Sequence, residues 1–151
     1  MKLTRFLLPL LALGLLVFAG CASGPKISRI TVFVTDIKPV GDTLVLSLRY
    51  ANDNTIPLVL SRSVHAIALD GETIGRIVSE QPVGLPPLAS ATQEIELPGE
   101  ISAQIRKLAR KADEPMSYVV ESKLTFQFTD DTLVQTTVNK GHLAPERIPV
   151  R

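Results

Sequence analysis

Few side chains in this sequence are of types that do chemistry, and their spacing decides what they can do. There are two histidines, His65 and His142, and one cysteine, Cys21. Zinc takes three or four closely spaced ligands, and neither histidine has a partner at such a spacing. His65 sits within an alternating run, where a partly buried polar residue on a strand is expected. His142 lies near the end of the chain. No Gly-x-Ser-x-Gly elbow and no phosphate-cradling glycine loop occurs. Asp130 and Asp131 are adjacent carboxylates, but neighbours on a turn point apart, so they read as a solvated turn. Asn52-Asp53-Asn54 offers oxygens of the kind calcium takes. One carboxylate is too few for that ion, and the triplet predicts a turn held by its own side chains. The sequence therefore predicts a protein that is not an enzyme, with no catalytic residue, no metal site and no cofactor.

Cys21 is different, because of what stands before it. Residues 1–5 carry Lys2 and Arg5, residues 6–18 are almost wholly apolar, and Ala19-Gly20 supplies two small residues. That is secretory signal grammar, with an apolar run too short for a comfortable transmembrane helix of about 20 residues. The stretch Phe18-Ala19-Gly20-Cys21 resembles the lipobox of bacterial lipoproteins, with Phe18 where leucine is usual. The resemblance implies cleavage between Gly20 and Cys21 and covalent diacylglycerol and acyl chains on Cys21. Two or three acyl chains anchor stably where one is marginal. Ala22 rather than Asp follows the cysteine, which under the usual Gram-negative sorting rule implies the outer membrane, facing the periplasm. With no second cysteine, the exported domain can form no internal disulfide.

Charge narrows the partners. The chain has 16 Lys+Arg against 15 Asp+Glu. The signal segment takes two cations and no acids, so the remainder has a formal net charge of −1, and a nucleic-acid partner is not expected. Residues 21–26 read as a lipidated tether. Its five residues after the cysteine extend to about 17 Å, which would hold the domain close to a bilayer.

The elements that must position these residues follow from alternation. Residues 27–37, 43–50, 64–69, 72–79, 91–97, 116–128 and 133–138 alternate as strands. Residues 38–42 read as a turn, and Asp70-Gly71 is a strong hairpin signal. The apolar crossing at 80–90 carries three prolines and is expected to be packed. Ile101, Ile105, Leu108, Ala109 and Ala112 fall at helical spacing, with Arg106, Lys107, Arg110 and Lys111 on the other side. Such a basic face suits anionic headgroups, if it is more than a solvated surface. About seven strands and one short helix predict an all-β, antiparallel, immunoglobulin-like (fibronectin III-like) β-sandwich after an N-terminal signal helix. The domain is expected over 27–140, with a tail at 141–151. A groove between the sheets, lined from 64–69 and 83–88, would suit an apolar ligand.

The landmarks also fall in a familiar order. Leu48-Arg49-Tyr50-Ala51-Asn52-Asp53-Asn54 precedes Ile56-Pro57-Leu58. Leu69-Asp70-Gly71, Ile74-Gly75 and Leu85-Pro86-Pro87-Leu88 follow, leading into Ile95-Glu96-Leu97-Pro98. This order resembles the group 2 late embryogenesis abundant family, or WHy (water stress and hypersensitive response) domain, across about 27–138. Asp53 replaces the proline of the family's Asn-Pro-Asn segment. The resemblance implies a seven-stranded sandwich with a helix and no catalytic residues. It also implies a part in desiccation or other stress response. An apolar-ligand carrier and an accessory subunit of an envelope complex are the alternatives.

Overall fold

Alternation along the chain becomes burial in the fold. The computed structural model describes residues 27–110, 114–129 and 131–144. β1 (Thr31–Val40) and β2 (Thr43–Asn52) form a hairpin, and β6 (Ala89–Glu96) pairs with the free side of β2. The second sheet contains β3 (Leu58–Leu69), β4 (Glu72–Ser79), β5 (Val83–Leu85), β7 (Met116–Gln127) and β8 (Thr132–Leu143). Its order is β4-β3-β7-β8, with β5 beside the start of β3. Every pairing is antiparallel. The sandwich expected from the sequence is the fold observed.

The core is aliphatic. Leu44, Leu46, Leu48 and Tyr50 of β2 are fully buried with Leu60 and Leu69 of β3 and Val120, Leu124 and Phe126 of β7. A two-residue alternation puts each of these rows on one face. On the outer face of the smaller sheet, the Arg49 guanidinium lies 4.6 Å from the centre of the Phe33 ring and covers it.

Three departures from strict alternation shape the strands. The turn expected over 38–42 shrinks to Gly41-Asp42, with Gly41 at φ 58°. Pro39 stays in the ladder because β1 is the edge of its sheet, where a missing N–H does little harm. Thr35 is an extra residue in β1, and Ile37 returns to the core after it. Ser61 does the same in β3, breaking the alternation there, and β3 spans twelve residues rather than the short 64–69 segment expected. Both bulge residues carry a hydroxyl that donates across to the neighbouring strand: Thr35 to the Ser47 carbonyl at 3.1 Å, Ser61 to the Thr125 carbonyl at 3.0 Å. An added residue leaves a ladder group unpaired, and a short hydroxyl can satisfy it.

Helix α1 (Gly99–Ala109) buries Ser102, Ile105 and Ala109 and packs against β4 and β2. It approaches closely at Gly75, whose φ is 150°. A Cβ there would lie 3.0 Å from Ile101 Cδ1. Ala112, expected on the apolar stripe, lies outside the described residues. β8 runs three residues past the expected domain end. Gly141 pairs with Tyr118, whose ring occupies the space a Cβ would need, and Leu143 is buried. Residues 141–143, expected as the start of the tail, complete the sheet.

The sandwich has two distinct ends. One, here the helical end, carries the Gly41-Asp42 turn, the Asp70-Gly71 turn and α1. The other, the entry end, carries Ser28, the β2–β3 loop, the β5–β6 loop and the β7–β8 turn. β2 runs from one to the other in ten residues, which at about 3.3 Å per residue separates them by about 30 Å.

Candidate functional site

Five of the inward-facing rows contain a polar side chain, and these meet across the core. Tyr50 Oη donates to Gln93 Oε1 at 2.8 Å, and Gln93 Nε2 donates to Ser79 Oγ at 2.9 Å and to the Gln81 carbonyl at 3.1 Å. The carbonyl can only accept, which fixes the orientation of the Gln93 amide. Since Tyr50 spends its proton on Gln93, its oxygen accepts from His65 Nε2 at 3.1 Å. His65 Nδ1 then accepts from Ser122 Oγ at 2.8 Å. The result is a directed chain from β7 through β3, β2 and β6 to β4, joining both sheets.

Burial sets the protonation of this chain. His65 has no exposed surface, and desolvation lowers its pKa to about 4, so the ring is neutral. Desolvation also pushes the Tyr50 phenol up to about 12, with the Ser63 hydroxyl acting slightly the other way. A serine hydrogen-bonded to a histidine is the pairing a nucleophile needs. Here both Ser122 and His65 are sealed from solvent, which denies any substrate an approach. The arrangement cross-links two sheets and satisfies its own buried polar atoms. His65, expected to be partly buried, is therefore a core residue. Its partners Tyr50, Gln93 and Ser122 were legible as polar members of apolar rows, although nothing in their sequence spacing pairs them.

The Asn52-Asp53-Asn54 segment is a clamp. Asn52 is buried, and its Nδ2 donates to the carbonyls of Ile56, Leu85 and Pro86 at 3.0–3.1 Å. Its Oδ1 accepts from the backbone N–H and side-chain amide of Asn54 at 3.0 and 2.8 Å. Asn54 in turn accepts from the Ser28 N–H and donates to the Ser28 carbonyl, and its own carbonyl accepts from the Leu88 N–H at 2.9 Å. Gln135 Oε1 accepts from the Ile30 N–H at 2.8 Å. Both amide oxygens of the triplet are consumed in protein contacts, so the turn-forming role is the one observed. Asp53 and Pro57 are exposed. Among the described residues no three His, Cys, Asp or Glu side chains converge on a metal position.

Asp70 and Gly71, at φ 47° and 81°, make the hairpin turn between β3 and β4. The Asp70 carboxylate also accepts from the Ser117 N–H at 2.7 Å and from its hydroxyl at 3.1 Å, tying the turn to β7. Asp131 caps the β7–β8 turn through the Thr132 N–H at 2.7 Å. His142 is exposed on β8.

The basic face expected on the helix is smaller than its sequence suggests. Lys107 and Arg110 are exposed, but Arg106 Nη2 donates to the Asp42 carbonyl at 2.9 Å and lies against the β1–β2 turn. Lys111, Gly20, Cys21 and Asp130 lie outside the described residues. The residues of 64–69 and 83–88, which the sequence leaves open between a groove and plain core, divide by face, with Leu85 in the core. His65, Ile67 and Leu69 are core, whereas Ala66 and Ala68 lie on the outer face. Shallow hollows of about 180 and 210 Å³ lie over those alanines, flanked by Arg76, Glu121 and Lys123. Small-molecule sites begin at roughly 300 Å³.

No family model matches the chain, and no curated protein matches it. Its fold is similar to the solution structure of an Arabidopsis thaliana protein. That likeness has a TM-score of 0.53 at 19% identity and covers 83% of this chain and 90% of that one. It is also similar to the solution structure of a late embryogenesis abundant (LEA) protein. There the TM-score is 0.50 at 13% identity, over 93% of this chain and 84% of that one. At these identities the likeness is one of fold, and it agrees with the sandwich that the WHy resemblance implied.

Proposed function

We propose that the chain is a non-enzymatic, lipid-anchored envelope domain of the WHy type, acting in the response to desiccation or related stress. The observation that carries this reading is the fate of its reactive side chains. His65, Tyr50 and Ser122 are spent on a sealed hydrogen-bond chain, and Asn52 and Asn54 on a backbone clamp. A molecule built this way works through its surface and its placement. The fold likeness to a late embryogenesis abundant protein supports the stress part of the reading, and the lipobox-like Phe18-Ala19-Gly20-Cys21 supports the anchoring part.

Two experiments test the two parts separately. Removing the gene from its host lowers survival after drying or osmotic shock, and wild-type survival would count against the stress role. Cys21→Ser abolishes incorporation of labelled palmitate and leaves the precursor at full length. Persistence of the labelled mature form would defeat the anchoring.

A further inference from the structure

The entry end of the sandwich exposes apolar side chains where polar loops are usual. Ile56 is 41% exposed and Leu88 70% exposed, and Pro57, Pro86 and Pro87 are exposed beside them. They come from two loops, and the loops are stitched into one surface. The Leu88 N–H donates to the Asn54 carbonyl, and Asn52 Nδ2 bonds Ile56, Leu85 and Pro86 together. Leu88 is held at φ 52°, a left-handed conformation that favours glycine or asparagine. A leucine set there keeps an apolar side chain in water at a backbone cost.

The chain also enters the fold at this end. Ser28 is clamped to Asn54 and Ile30 to Gln135. Between Ser28 and Cys21 lie only six residues, so Ser28, at the same end as the apolar surface, stays within roughly 25 Å of that cysteine. Nearby exposed charges are mixed: Arg29, Asp53 and Asp131. The basic residues of α1 stand about 30 Å away at the other end.

We infer that the Ile56, Pro57, Pro86, Pro87 and Leu88 surface is a membrane-docking tip that inserts shallowly into the same bilayer that holds Cys21. It rests on the anchoring part of the proposed function. It replaces the basic helical face as the bilayer contact. With charge of both signs around it, the tip is held by apolar insertion and has no preference for anionic lipid.

The chain has no tryptophan, so a single introduced indole reports its own surroundings. Leu88→Trp and Lys107→Trp versions of the full chain are produced in a lipoprotein-processing bacterial host and reconstituted into phosphatidylcholine vesicles. The Leu88→Trp emission is expected to shift to the blue and to lose intensity when the acyl chains are brominated. The Lys107→Trp emission is expected to do neither, and anionic lipid changes neither result. Quenching of Lys107→Trp rather than Leu88→Trp would overturn the proposal, as would quenching that requires anionic lipid. A blue shift that ignores brominated lipid, whether or not it depends on protein concentration, would place another part of this chain or a second copy on the tip and would also overturn it. Flotation separates this proposal from the anchoring it rests on. Protein that fails to float with vesicles refutes the anchor, whereas protein that floats unquenched refutes the tip.

Discussion

Burial holds His65 at a pKa of about 4, against 6.5 when it is free, so the folded and unfolded chains disagree over its proton between those values. The unfolded chain binds the proton first as pH falls. Stability is therefore full above pH 6.5 and declines through that window by about 3 kcal/mol. Tyr50 works in the opposite direction. Its phenol is raised from 10 to about 12, so the unfolded chain ionises first and stability falls as pH rises above 10. Chemical denaturation across pH should trace a plateau bounded by these two limbs. Tyr50→Phe should remove the alkaline limb and cost about 2 kcal/mol at neutral pH, because the Gln93 and His65 atoms it served stay buried without it. An unchanged midpoint at pH 7 would mean the chain of hydrogen bonds contributes nothing net. Leu88 offers the reverse case. Leu88→Asn relieves a left-handed leucine and should raise stability by about 1 kcal/mol, measured as a higher denaturation midpoint.

At the scale of elements, strand identity was legible wherever one face is apolar and the other polar. The inward rows of β2, β6 and β7 and the return strand β4 can be read directly. What escaped the sequence has physical reasons. Bulges at Thr35 and Ser61 each shift the pattern by one residue, so period-2 counting ends β1 early and starts β3 late. β5 is only three residues long and sits among prolines. β8 turns Gln135, Thr137, Asn139 and Gly141 inward and Val134 and Val138 outward, the reverse of the usual pattern, so its second half read as tail. The polar chain was invisible because its members lie far apart in sequence and meet only when the two sheets stack. Two substitutions test the elements that the sequence described least well. Gly141→Val drives a side chain into the Tyr118 ring and should destabilise the domain by about 2 kcal/mol; a tolerant site would mean β8 is dispensable beyond Val138. Gly75→Val combines a φ of 150° with a 3.0 Å approach to Ile101. It should loosen α1 first, seen as faster amide exchange in Gly99–Ala109 than in β7.

For the molecule as a whole, the separation of two ends matters more than any one surface. A fold with its helix and two tight hairpin turns at one pole and its apolar loops and chain entry at the other has a built-in orientation. Asn52 is the residue on which that arrangement depends most. Asn52→Ala leaves three carbonyls and Asn54 without their partner and should cost about 3 kcal/mol, read as a lowered thermal midpoint. Protection of the entry-end loops from proteolysis should fall with it. The clamp at Ser28 has a mechanical consequence as well. A force that reaches residue 28 meets no slack beyond it, since the amides of Asn54 and Gln135 hold Ser28 and Ile30 before β1 begins. Load arriving there is divided between the β2–β3 loop and β8, and only then reaches the β1–β2 ladder along its length. In shear, the ladder's hydrogen bonds must yield together rather than one at a time. A domain held by its first residues is thereby fastened as a rigid body, so that tugging on its attachment moves the whole sandwich before it frays any part of it.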